Sequence, residues 1–219
     1  MTSRIAGIAW RRMAGLLPAA CLILPLLPAV AESGPREDAL VVLDRRNIRF
    51  TAVDFLDLVK RGDAENVRVF IQAGMNPNTG LTEDEPAIFL AVLRGHVETV
   101  KALLDGGALV NVKNRKGWTV LMLACVLDSK ELAEILLSRG ADPNVQNGLG
   151  MAAIHLTVQN RDLELVEMLV KKGADVRQKS RYGVNALRIA LETDQTGIIK
   201  FFEKAGHGAE MKKLRQGIQ

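Results

Sequence analysis

The chain has 219 residues, 29 basic and 25 acidic, for a formal net charge of +4. Three of the basic residues and no acid fall in the segment 1–31. Without that segment the balance is 26 to 25, a net of +1, so the basic isoelectric point is no evidence for a nucleic-acid partner. One of the two cysteines lies in the same segment, and the single thiol that remains, Cys125, excludes an intrachain disulfide.

The first segment carries Arg4, Arg11 and Arg12, then no charged residue until Glu32. Between them run Leu16, Leu17, Leu22, Ile23, Leu24, Leu26 and Leu27, and the stretch ends Ala29-Val30-Ala31. A basic start, an apolar middle and a small-x-small finish predict a secretory signal peptide over 1–31, cut between Ala31 and Glu32. The competing reading is an uncleaved anchor, because the charge-free stretch is just long enough to span a bilayer. Pro18, Pro25 and Pro28 interrupt such a helix. Arg11-Arg12 lacks the polar and aromatic context of a twin-arginine signal, and Pro18-Ala19-Ala20 ahead of Cys21 does not resemble a lipobox. General secretion is the expectation, with no stable membrane insertion after cleavage. Residues 32–50, with Gly34-Pro35 and mixed charges, read as a linker; a short helix near Ala39 to Leu43 is left open.

From residue 51 a period takes over. Gly74, Gly107, Gly140, Gly173 and Gly206 recur at one constant interval, and Gly117, Gly150 and Gly183 keep the same spacing. A period of that length marks a repeat architecture. Pro86 to Ala91 aligns with Thr119 to Ala124, Ala152 to Thr157 and Asn185 to Ala190, each opening a short helix. Thr119, and more weakly Asn185, can cap that helix. A second run follows in each unit: Val97 to Leu104, Lys130 to Leu137 and Leu163 to Val170. Its apolar residues lie three and four apart, as a buried helical stripe requires. Each unit is therefore two antiparallel helices. The glycine after the second helix falls where a left-handed residue ends it. The Asn/Asp/Gly-rich connection that follows, with Asn78, Asn111 and Asn144 in one slot, has the composition of tight turns and predicts a hairpin-like finger.

These features resemble the ankyrin-repeat family. Gly117-Trp118-Thr119-Val120-Leu121-Met122-Leu123-Ala124 and Gly150-Met151-Ala152-Ala153-Ile154-His155-Leu156-Thr157 are similar to its Gly-x-Thr-Pro-Leu-His-x-Ala motif. Gly95-His96 through Val100, Leu103-Leu104 and Gly107-Ala108 are similar to its second-helix motif. No unit carries the full Thr-Pro-Leu-His, and Pro86 stands in one threonine slot. The resemblance implies an all-α solenoid over 51–207, with units near 51–80, 81–113, 114–146, 147–179 and 180–207. Residues 208–219, with Lys212-Lys213-Leu214-Arg215, are expected to form a solvated basic tail. Asp57, Lys60 and Arg61 in the first unit, and Glu203 in a slot that holds Leu104, Leu137 and Val170 elsewhere, suit end units that face water.

Chemistry is sparse. His96, His155 and His207 lie in separate units, none at metal-ligand spacing to a Cys or carboxylate, and the first two occupy slots the family uses for structural hydrogen bonds. Cys125 follows Ala124 in a first helix and is expected to be a buried structural thiol. No glycine loop precedes a helix to cradle phosphate. An enzyme, a cofactor and a metal are all unexpected.

Stacked repeats bind through one continuous surface, which the resemblance places on the fingers and first helices. It implies target-facing slots at Lys113, Arg115, Lys116, Trp118, Val126 and Leu127 in the third unit. In neighbouring units they are Glu83, Glu85, Leu93 and Arg94; Gln146, Leu149, Met151, Gln159 and Asn160; and Lys179, Arg181, Tyr182, Val184, Glu192 and Thr193. Trp118 and Tyr182 are the one Trp and one Tyr beyond Ala31, and such residues dominate binding hot spots; packing of Trp118 on the next finger is the alternative.

The resulting expectation is a non-catalytic periplasmic module, monomeric alone, that binds another protein and inhibits, protects or stabilises it. Exported bacterial ankyrin proteins that resemble it are associated with toxin immunity, restraint of cell-wall hydrolases and support of peroxide-detoxifying enzymes. Two alternatives stand beside it: an effector secreted to act on host proteins, and a hydrolase whose site is not evident in the sequence.

Overall fold

Helices begin where a side chain can take one of the backbone N–H groups that the first turn leaves free. The structure, a computed structural model, describes residues 34–82 and 85–218; the expected signal peptide and Glu83 lie outside them. Helix α1 (Pro35–Arg45) starts on a proline, whose missing N–H is no loss at that position. Thr51 accepts from the Asp54 N–H at 3.1 Å to open α2 (Ala52–Arg61), and Asp63 accepts from Asn66 at 3.0 Å to open α3 (Ala64–Gln72). Helix α4 (Ala87–Leu93) follows Pro86 and has no side-chain cap; α5 (Val97–Asp105) follows His96. Thr119 caps α6 (Val120–Val126) through the Met122 N–H at 3.2 Å, as its sequence position predicts, and α7 (Lys130–Ser138) follows. Helix α8 (Ala153–Gln159) precedes α9 (Leu163–Lys171), which Asp162 caps. Asn185 caps α10 (Ala186–Glu192) through Arg188 at 3.0 Å. Helices α11 (Thr196–Phe202) and α12 (Gly208–Ile218) complete the described chain.

Gly74, Gly107, Gly140 and Gly173 end the second helices at φ of 97°, 91°, 84° and 89°, the left-handed region in which only glycine is unstrained. A second left-handed position recurs at the same interval between the two helices of each unit: Gly62, Gly95, Asp128, Arg161 and Asp194. Its residue type changes, so the period is invisible there in composition.

The helices form two layers. In one, α2, α4, α6, α8 and α10 pack successively; in the other, α3, α5, α7, α9 and α11 do. Slots one period apart supply equivalent core atoms, as with Ile88, Leu121, Ile154 and Leu187 in the first layer and Phe70, Leu103, Leu136, Leu169 and Phe202 in the second. Among the described residues there are no β-strands, only isolated antiparallel bridges, Gly80 with Pro86 and Lys113 with Thr119, that close two of the fingers. No described helix is long and apolar enough to cross a membrane.

At the first flank packing decides what the sequence left open, and at the last it replaces the expected tail with a helix. The stretch read as a linker holds α1, which packs on α3 with Ala39 and Leu43 buried and Arg36 Nε donating to the Ala73 carbonyl at 3.1 Å. The stretch read as a solvated tail holds α12. After a turn at Gly206 (φ 96°) it packs on α10, burying Met211. Glu210 meets Arg177 at 2.8 Å, while Lys212, Lys213 and Arg215 stay exposed. Each flank is half a unit: α1 extends the second layer and α12 the first. Burying one such Leu or Met contributes about 1.5–3 kcal/mol toward holding its helix on the end of the stack.

Candidate partner-binding surface

The fingers are built by a side chain that mimics backbone. Asn114 Oδ1 accepts the N–H groups of Lys116 and Trp118, both at 3.0 Å. One period on, Asn147 Oδ1 accepts those of Leu149 at 2.9 Å and Met151 at 3.1 Å; Ser180 fills the slot in the next finger and takes the Tyr182 N–H at 3.3 Å. Such Asx turns fix the tip independently of the helices.

Adjacent tips are bonded to each other. The Gly148 N–H donates to the Lys116 carbonyl at 2.8 Å, and the Arg181 N–H to that of Leu149 at 3.0 Å. A Cβ on Gly117 would lie 2.9 Å from the Gly148 nitrogen, and one on Gly150 would lie 2.6 Å from that of Arg181. Gly117 and Gly150 thus combine a positive φ with close backbone approach, whereas Gly183 shares the positive φ alone. Deeper in the fingers, Asn78, Asn111 and Asn144 each accept an N–H of the following unit, from Leu109, Asp142 and Asp175 at 2.9, 2.9 and 2.7 Å. The sequence shows this asparagine slot through its spacing, but not its task of joining units.

Register then decides what the tips present. Lys116, Leu149 and Tyr182 occupy one slot on successive tips, with Arg115 and Arg181 beside them. All five are exposed, Leu149 at 47% and Tyr182 at 72%. Lys113 is exposed at the finger bridge, and Glu85 is exposed in the preceding finger. Trp118 and Met151 share a different slot: both are half-buried and packed against the core, so each presents only part of its side chain. The last turns of the first-layer helices add exposed Leu93, Arg94, Val126, Leu127 and Gln159. Glu83 lies outside the described residues.

The titratable groups have structural tasks. His155 is fully buried; its Nδ1 accepts the Ala152 N–H at 3.1 Å, which leaves the proton on Nε2 to donate to the Gln178 carbonyl at 2.9 Å. Burial lowers its pKa, keeping the ring neutral. His96 Nε2 lies 3.0 Å from the Lys60 carbonyl. Burial pushes the Cys125 thiol up to about 12, so the reactive thiolate is suppressed. Asp128 and Asp162 face each other at neighbouring inter-helix turns. The hydrogen bond to Asp162 and its charge raise the Asp128 pKa, while Asp162 is engaged in capping α9. Among the described residues no three His, Cys, Asp or Glu side chains gather in a metal-binding arrangement.

A family model of ankyrin repeats in three copies matches residues 55–147 and 137–213. The chain belongs to the ankyrin-repeat family. Its period, two-layer stacking and bonded fingers are those of an ankyrin stack, an interaction module for other proteins. No curated protein matches the chain.

Proposed function

We propose that this ankyrin stack is a periplasmic protein-binding module, exported by the 1–31 leader, that inhibits, protects or stabilises an envelope enzyme without catalysis of its own. The observation that carries the binding reading is the finger row. Leu149 and Tyr182 stand exposed on tips held rigidly by Asn147, Ser180 and the tip-to-tip bonds. Exposed apolar and aromatic side chains on a pre-ordered frame bind with little loss of conformational freedom. The Ala29-Val30-Ala31 site supports export.

The test is capture from a periplasmic extract with residues 32–219 as bait, followed by the same capture with the Leu149→Ala/Tyr182→Ala double variant. Neither side chain belongs to the core, so the helical circular-dichroism signal and melting should stay near wild type. Capture should weaken by about 2 kcal/mol or more, the scale of a hot spot. Unchanged capture by a folded double variant would move the binding surface elsewhere. Intact-mass measurement of the exported protein should find Glu32 at its start; a species retaining Met1 would refute cleavage.

A further inference from the structure

We infer that the finger row takes an acidic protein segment, one in which carboxylates flank an apolar side chain. The inference rests on the partner-binding reading and names the chemistry of the partner.

Charge is distributed unevenly over a chain that is nearly neutral beyond Ala31. Helices α3, α5, α7 and α9 hold seven acidic residues against four basic ones. Cations on that layer are engaged from unit to unit: Arg68 with Glu98 at 3.5 Å, Arg139 with Asp105 at 2.7 Å, and Lys130 with Glu164. The finger tips have a different pattern. Lys113, Arg115 and Lys116 lie on one tip, and Lys179 and Arg181 lie two tips further on. Lys113, Lys116, Lys179 and Arg181 form no ion pair among the described residues. The tip between them, 146–151, is uncharged and displays Leu149.

Cations that share one tip, Lys113 with Lys116 and Lys179 with Arg181, lie two or three residues apart in the chain, a separation over which exposed charges still repel at the screening length of about 8 Å of physiological ionic strength. Carboxylates supplied from outside relieve that repulsion, and the central leucine offers apolar burial between the two charged positions. Opposite charge sets orientation and speeds encounter, whereas the apolar contact holds the complex. Glu85, exposed in the preceding finger, disfavours the same segment there and so limits its register to the later tips. A plain polyanion would gain nothing from Leu149 or from the neutral tip.

The experiment follows backbone amide NMR shifts of residues 32–219 during titration with synthetic probes. One is the peptide Glu-Glu-Ala-Leu-Leu-Ala-Glu-Glu; a second replaces every Glu by Lys, a third replaces both Leu by Ser, and the fourth is inorganic polyphosphate. The acidic leucine peptide should shift the amides of Lys116, Leu149 and Arg181. Its binding should weaken about tenfold or more in Lys116→Glu/Arg181→Glu, with unchanged circular dichroism. If that reversal disturbs the fold, Lys116→Gln/Arg181→Gln carries the same comparison. Equal binding of the lysine peptide, shifts confined to α3, α5, α7 and α9, or no shift at all overturns the inference. So does binding of the serine peptide or polyphosphate as tight as that of the leucine peptide, which would mark a bare polyanion surface. If the charge-reversed protein still captures its periplasmic partner while Leu149→Ala/Tyr182→Ala does not, the binding surface stands and the acidic partner falls.

Discussion

Asn144 holds the backbone of Asp175 in the following unit: its Oδ1 accepts the Asp175 N–H at 2.7 Å while its Nδ2 donates to the Gly173 carbonyl at 2.9 Å. Asn111 makes the same pair of bonds to Asp142 and Gly140. One side chain thus satisfies two backbone groups at the start of the next finger. In the last unit Arg177 takes the slot and turns instead to Glu210 on α12.

Asn144→Ala should therefore cost about 1–2 kcal/mol of stability, the net worth of two such bonds with partners left partly hydrated. Asn160, whose contacts to the Cys125 and Val126 carbonyls are long at 3.4 and 3.5 Å, is the comparison; Asn160→Ala should stay within about 0.5 kcal/mol of wild type. Chemical denaturation of the two variants decides the matter, and equal losses would refute the clamp.

Gly140 and Gly150 should respond differently to alanine. At Gly140 (φ 84°) an added Cβ meets nothing within 4 Å, so the loss is the backbone strain alone, about 1 kcal/mol. At Gly150 (φ 73°) the same Cβ also approaches the Arg181 nitrogen to 2.6 Å. Gly150→Ala should lose more stability than Gly140→Ala and speed hydrogen exchange of the Arg181 amide. Glu134→Ala, at an exposed second-layer position, should be nearly silent. A Gly150→Ala protein as stable as wild type would show that the tips are not closely apposed.

Acid should weaken the stack through His155. Its pKa is lowered in the fold by burial, so between the unfolded value near 6.5 and the lower folded value the unfolded chain binds the extra proton. Stability is then full above about pH 6.5 and falls as the pH drops, with a slope limited to about 1.4 kcal/mol per pH unit for one proton. His155→Gln should flatten the dependence between pH 7 and 5, whatever it does to stability at pH 7. An unchanged slope would mean that the ring accepts a proton in place, against the geometry of the Ala152 N–H pointing at Nδ1.

The period and the helix pairs are legible in the chain because their requirements are local. A left-handed backbone selects glycine at 74, 107, 140 and 173, and a buried stripe selects apolar residues three and four apart, whatever the rest of the molecule does. Where the same backbone angle is met by Asp128, Arg161 and Asp194, composition carries no trace of it. Trp118 shows a similar limit: residue type marks it as a contact candidate, but its half-burial depends on the atoms packed around it.

The ankyrin stack, its register and the residues on each finger can all be read from the chain alone, since they follow from a repeat written into it. The placing of α1 and α12 as half-units closing opposite layers came from packing, because a short helix with one apolar stripe is a linker or a tail until an uncovered neighbour buries it. The bonding of the tips into one row came from the same source. Those hydrogen bonds join backbone groups of different units, and backbone groups are alike in every residue. The separation of Lys116 and Arg181 on that row from the paired charges of the second layer is likewise a product of stacking, which brings Arg68 to Glu98 and Arg139 to Asp105 and leaves Lys116 and Arg181 without an ion pair among the described residues.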